Sequence, residues 1–179
     1  AFHGGILQLA QKYQSEGRAR FIGMSSHNLE VSMKAVKSGQ IDVLMYPINI
    51  TNSAMPDREK LLNTCMTDEV GLVAMKPFAG GTLLQGGTGV FTDTLSSGWR
   101  SFNRKQAISA TPIQCISYVL SQTGVSTVVP GVRSVAELKE TLHCINASAE
   151  DKNYESIVKS FDLYLEGGCV YCGHCLPCP

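Results

Sequence analysis

The chain carries 15 basic and 15 acidic side chains in 179 residues, a formal net charge of zero. That balance offers no electrostatic basis for binding nucleic acid or an anionic membrane. Its 44% hydrophobic content and its length suit a soluble globular protein with a real core, and no run approaches the roughly eighteen apolar residues of a membrane span.

The chain begins Ala1-Phe2-His3-Gly4-Gly5, with neither an initiator Met nor a basic-then-apolar leader, which points to a fragment or a processed chain. Gly5 to Glu16 carries Ile6, Leu7, Leu9, Ala10 and Tyr13 at helical spacing, with Gly17 as a stop. Arg18 to Ser25 reads as a strand ending in the polar group Ser25-Ser26-His27-Asn28. Asn28 is suited to cap a helix through about Lys37. Ile41 to Tyr46 is a second, almost wholly apolar strand. A helix opening near Asp57 places Leu61, Leu62, Cys65 and Met66 on its apolar face, and Val70 to Met75 forms a third strand.

That third strand runs into Lys76-Pro77-Phe78-Ala79-Gly80-Gly81, and the glycine-rich stretch to about Ala110 has no sustained period. A connection that long is usually functional or mobile. Thr111-Pro112 starts a helix with Thr as cap and Pro at its first position, carrying Ile113, Cys115, Ile116, Val119 and Leu120. Val125 to Val129 is a fourth short strand leading into Pro130-Gly131-Val132-Arg133. Ser134 to Glu137 forms a capping box for a helix through about Asn146, and a further helix spans about Glu150 to Leu165. Cys65, Cys115 and Cys144 sit singly in apolar helical patterns and read as core thiols, which favours a reducing cytoplasm.

Strand and helix thus alternate four times after the opening helix. The strands are apolar on both faces, as parallel strands covered by helices must be, so the class is α/β. Each strand ends in polar, Pro or Gly residues, where α/β folds place ligands. Two parts are expected: residues 1–148 form the α/β unit, and residues 149–179 form a helix plus a cysteine-rich tail.

In the tail, Cys169, Cys172, Cys175 and Cys178 fall at three-residue intervals and Pro179 closes the run. Four thiols so spaced curl the chain about one centre. The pattern suits a [4Fe-4S] cluster of bacterial ferredoxin type, although the last gap is two residues rather than three. Structural zinc is the alternative, without the long spacer its paired knuckles usually have, and disulfides between such close neighbours have poor geometry. His174 fits a hydrogen-bond donor to this centre better than a ligand.

Four segments in order resemble the aldo/keto reductase family. They are Gly17 to Ser25, Asp42 to Asn49, Val73 to Gly81 and Val128 to Ser134. The resemblance runs from about Gly5 to Ala147, and the cysteines resemble the tail of the family's iron–sulfur branch. It implies a partial (β/α)8 TIM barrel, the C-terminal half with about four βα units, from an oxidoreductase that uses NADP or NAD on a small carbonyl or alcohol substrate.

In such barrels the last two strand-end loops commonly hold a phosphate. Here they are Lys76-Pro77-Phe78-Ala79-Gly80-Gly81 and Pro130-Gly131-Val132-Arg133-Ser134. Gly80 and Gly81 let the backbone approach a pyrophosphate, Ser134 opens a helix whose amides favour an anion, and Lys76 and Arg133 add positive charge. The competing reading is that the glycines only make turns. The resemblance also puts Ser25 and Ser26 at the nicotinamide carboxamide and Glu140 at the adenine. Met45 and Met75 fall where the family has a glutamine and a stacking aromatic; the plainer alternative is that both are core. Glu137 falls where an arginine would bind a 2′-phosphate, with Arg133 able to compensate.

The family's catalytic Asp, Tyr, Lys and His belong to the preceding βα units, so no catalytic residue is expected in this chain. His3 and His27 lie outside the family's histidine motif and read as surface or strand-end polar residues. The expected partners, besides nucleotide and substrate, are the missing N-terminal half or a second copy of the chain. Two other classes remain open: a nucleotide-binding electron-transfer or redox-sensing module without catalysis, and a zinc-stapled structural subunit.

Overall fold

The four apolar runs pair side by side, in chain order and all parallel. The structure is a computed structural model that describes residues 5–52, 57–84 and 109–161. Strands β1 (Gly23–Ser25), β2 (Val43–Pro47), β3 (Gly71–Met75) and β4 (Val125–Val129) are interleaved with helices α1 (Gly5–Ser15), α2 (Leu29–Lys37), α3 (Arg58–Thr67), α4 (Pro112–Leu120), α5 (Val135–Leu142) and α6 (Glu155–Phe161). The register aligns Ser25 with Met45, Met45 with Val73 and Val73 with Thr127, and two residues on aligns Pro47, Met75 and Val129. All four C-terminal strand ends therefore face one rim.

Side chains alternate across a strand. Leu44, Tyr46, Leu72 and Ala74 are fully buried under the helices, against Ala35 and Val36 of α2, Leu61 and Cys65 of α3, and Cys115 and Val119 of α4. The opposite face carries Val43, Met45, Val73 and Met75, each only half-buried. Cover on both faces, expected from the apolar strands, is thus found on one face among the described residues. At the edge, Val129 of β4 is 49% exposed.

Local chemistry explains the boundaries. Asn28 caps α2 by accepting from Val31 N–H at 2.9 Å. Thr111 and Gln114 form a reciprocal capping box at α4, with Pro112 at its first turn. The first strand is shorter than Arg18 to Ser25. The amides of Arg18 and Ala19 donate to Tyr13 O at the end of α1, and the Arg18 guanidinium lies 4.2 Å from the Tyr13 ring, so this segment finishes a helix. The last helix starts at Glu155 rather than Glu150, because Ser148 and Asp151 close a turn and Asn153 accepts from Glu155 N–H. That turn and helix pack on α4: Tyr154 meets the Tyr118 ring edge-on at 5.3 Å, and Gln114 donates to Asn153 O. Met66 and Leu120, expected in apolar faces, are 58% and 46% exposed.

Cys65, Cys115 and Cys144 are free and buried, as their patterns indicate. Burial pushes the Cys115 thiol up to about 12. Burial, helped by the Asp68 carboxylate, pushes Cys65 up to about 11. Both stay protonated and act as small core side chains. No described helix is long and apolar enough to cross a membrane.

Candidate functional site

The rim is built by backbone bonds that continue the sheet past the strand ends. Ser26 N–H donates to Met45 O at 3.1 Å, and Ile48 N–H donates to Met75 O at 3.1 Å. The loops after β1, β2 and β3 therefore leave from one level. Ser25 is exposed and occupies the register row of Met45, on the open face. Ser26 is half-buried, and its Oγ accepts from Asn28 N–H at 3.1 Å, shaping the turn into α2. His27 follows in this turn. Partial burial, and then the positive charge of Lys76, hold its imidazole below the ordinary histidine range. The loop after β1 thus lies within electrostatic range of the loop after β3.

The loop after β3 has an unusual backbone. Lys76 (φ 56°), Ala79 (φ 48°), Gly80 (φ 69°) and Gly81 (φ 93°) all have positive φ. Lys76 O accepts from Asn49 Nδ2 at 3.1 Å and from Ala79 N–H at 3.0 Å, and Phe78 O accepts from Gly81 N–H at 2.8 Å. Pro77 and Phe78 are buried, with Phe78 in the core. Of the six residues from Lys76 to Gly81, the two glycines and Lys76 are thus the ones with surface on the rim side, while Pro77 and Phe78 anchor them.

After β4, Pro130 is half-buried, and Gly131 and Arg133 are exposed. A Cβ added to Gly131 would meet nothing within 4 Å, so the chain's own packing does not demand glycine there. Ser134 Oγ accepts from Glu137 N–H at 3.1 Å, and Glu137 Oε2 accepts from Arg133 N–H at 2.6 Å. Glu137 is only 5% exposed. One turn later, Glu140 Oε2 is buried without a hydrogen-bond partner among the described residues, as is the neighbouring Thr141 Oγ1. An unpaired buried acceptor is costly.

Two site residues escaped the sequence reading. Asn49 is fully buried and joins the loops after β2 and β3; its signal was an amide set in the apolar run Pro47-Ile48-Asn49-Ile50. His27 feels the charge of Lys76, a relation with no local signature. The tail cysteines Cys169, Cys172, Cys175 and Cys178 lie outside the described residues, as does His3. Among the described residues no group of three or more His, Cys, Asp or Glu is placed to hold a metal ion. A hollow of about 510 Å³, lined by Lys37, Lys60, Thr64 and Asp68 among others, lies on the outer helices and includes none of the rim residues.

Consecutive βα units on a four-stranded parallel sheet in chain order are consistent with part of a β/α barrel. Residues 6–161 match the model of the aldo/keto reductase family, and the chain belongs to that family. No curated protein matches significantly. Among solved structures, aldo-keto reductase AKR11C1 from Bacillus halodurans is similar in its holo form, with a TM-score of 0.60 at 18% identity over 87% of this chain and 54% of that one. Its apo form gives 0.60 and 18% over 90% and 58%. At that identity the likeness establishes the fold, and the chain spans little more than half the length of those structures.

Proposed function

We propose that this chain is the nucleotide-binding part of an NAD(P)-dependent aldo/keto reductase-like oxidoreductase. The reading rests on one observation above all: Ser25, Lys76 to Gly81 and Pro130 to Ser134 lie at the C-terminal ends of β1, β3 and β4 in one parallel sheet. A dinucleotide laid along that rim would have its carboxamide near Ser25 and Ser26. Its pyrophosphate would lie over Gly80, Gly81 and the amides at the start of α5, with Lys76 and Arg133 balancing the charge. By the family resemblance the adenine would lie near Glu140. When bound, a reduced nicotinamide supplies a hydride to a carbonyl carbon. This chain's part is to hold and orient that ring, with Met45 and Met75 offering an apolar floor. The proton donor belongs to the βα units that would complete the barrel.

The buried carboxylate of Glu137, committed to Arg133 N–H, favours the dinucleotide without a 2′-phosphate. The edges of the sheet support a partner of the same architecture. Ile6 and Leu9 of α1 are exposed on one side, and Val135, Leu138 and Leu142 of α5 are exposed on the other. These stripes suit the other half of the barrel or a second copy. On this reading residues 1–148 form the half-barrel and residues 149–179 the helix and tail, in a cytoplasmic protein. The four tail thiols have the chemistry for a [4Fe-4S] cluster, with zinc as the alternative occupant.

Titration with NADH and NADPH, followed by anaerobic turnover of the complete protein with simple carbonyl substrates, tests the assignment. Binding without turnover would leave a nucleotide-binding redox module, a reading that the methionines at positions 45 and 75 support. Absence of binding to either dinucleotide removes the proposal. Iron and acid-labile sulfide are expected in anaerobic preparations; one zinc per chain without them would exclude the cluster.

A further inference from the structure

We infer that Asn49 is a positioning residue that holds the loop after β3 in its left-handed form. Asn49 is fully buried at the end of β2, a place that tolerates an amide only if its polar atoms are bonded. Its Oδ1 accepts from Thr51 N–H at 3.0 Å and from Thr51 Oγ1 at 2.6 Å, which orients the amide. Its Nδ2 then donates across to Lys76 O at 3.1 Å. That carbonyl belongs to a residue at φ 56°, a conformation that an L side chain resists. The same carbonyl accepts from Ala79 N–H and so starts the run of positive φ at Ala79, Gly80 and Gly81. The adjoining bond from Ile48 N–H to Met75 O fixes the backbone just before Lys76. Asn49 thus acts at the point where a regular strand turns into the left-handed loop. The identity of the loop's ligand rests on the proposed function above; the clamp on its conformation does not.

Amide hydrogen exchange on the full chain tests the clamp without any ligand. In Asn49→Ala the amides of Ala79 and Gly81 should exchange about tenfold faster, the worth of one hydrogen bond, while central amides of β2 and β3 keep their rates. In a Lys76→Gly background the left-handed conformation carries no steric cost. The effect of Asn49→Ala should then shrink to about threefold or less, whereas a residue that only supports the fold would act equally in both backgrounds. If Asn49→Ala does not fold, Asn49→Ser removes the reach to Lys76 O and leaves a hydroxyl near Thr51. Unchanged exchange at Ala79 and Gly81, or equal effects in the two backgrounds, overturns the role of Asn49. The dinucleotide dissociation constant of Asn49→Ala should rise about tenfold in parallel. Faster exchange in the variant, with no dinucleotide bound even by the unmodified chain, would sustain the clamp and overturn the nucleotide assignment.

Discussion

Replacing Gly81 by alanine should injure the rim more than the same change at its neighbour. Gly80 lies at φ 69°, ψ 16° and Gly81 at φ 93°, ψ −5°. The left-handed well open to L residues extends to about φ +70°, so Gly80 sits at its edge and Gly81 about 20° outside. A methyl at Gly80 costs about 1 kcal/mol, and the stiffer unfolded chain returns about 0.4–1 kcal/mol, so Gly80→Ala is nearly neutral. At Gly81 the strain rises to about 2–3 kcal/mol, leaving a net loss of about 1–2 kcal/mol. Relaxing φ there would also break the bond from Gly81 N–H to Phe78 O at 2.8 Å. Urea unfolding followed by circular dichroism reads the stability change, and titration with dinucleotide reads its effect at the rim. One decade in affinity corresponds to about 1.4 kcal/mol, so Gly81→Ala should bind about tenfold more weakly and Gly80→Ala within about threefold. A Gly81→Ala variant as stable and as tight-binding as the unmodified chain would refute the reasoning, as would a larger loss at Gly80.

Glu137→Ala removes a carboxylate bonded to Arg133 N–H and the acid in the first turn of α5. It should cost about 2 kcal/mol in urea unfolding, and Glu137→Gln about 1 kcal/mol. On the proposed reading Glu137→Gln also raises the affinity for NADPH relative to NADH, and an unchanged ratio would remove Glu137 from phosphate discrimination. His27 should titrate below 6.5 by NMR, because burial and then Lys76 favour its neutral form. The unfolded chain takes up that proton first, so this residue's contribution to stability declines as pH falls from about 6.5 toward the lower folded value. Lys76→Met should move the titration upward; a His27 that titrates at or above 6.5 contradicts this environment. Thr111→Ala should lower stability by about 1 kcal/mol through loss of the α4 capping box, and a neutral result would mean that the reciprocal bonds carry little.

Much of this architecture was legible because it depends on neighbours in the chain. Asn28, Thr111 and Ser134 announce helix starts through a side chain and an amide only three residues away. The apolar runs of β2 and β3, the buried thiols and the order of βα units follow from pattern alone. Less legible were the ends of elements that answer to distant groups. Arg18 and Ala19 leave the strand for Tyr13 O. Phe78, grouped with the rim by its place in a motif, is held in the core while its carbonyl shapes the loop.

Periodicity and turn chemistry, which are local, were enough to specify parallel βα units with ligand-suited loops, and the motif order pointed to the family. Which face of the sheet the described helices cover, that Asn49 reaches Lys76, and that Glu140 Oε2 has no partner among the described residues were decided only by folding. Those are contacts between segments 27 or more residues apart or between packed layers, and no short window of the chain contains both partners.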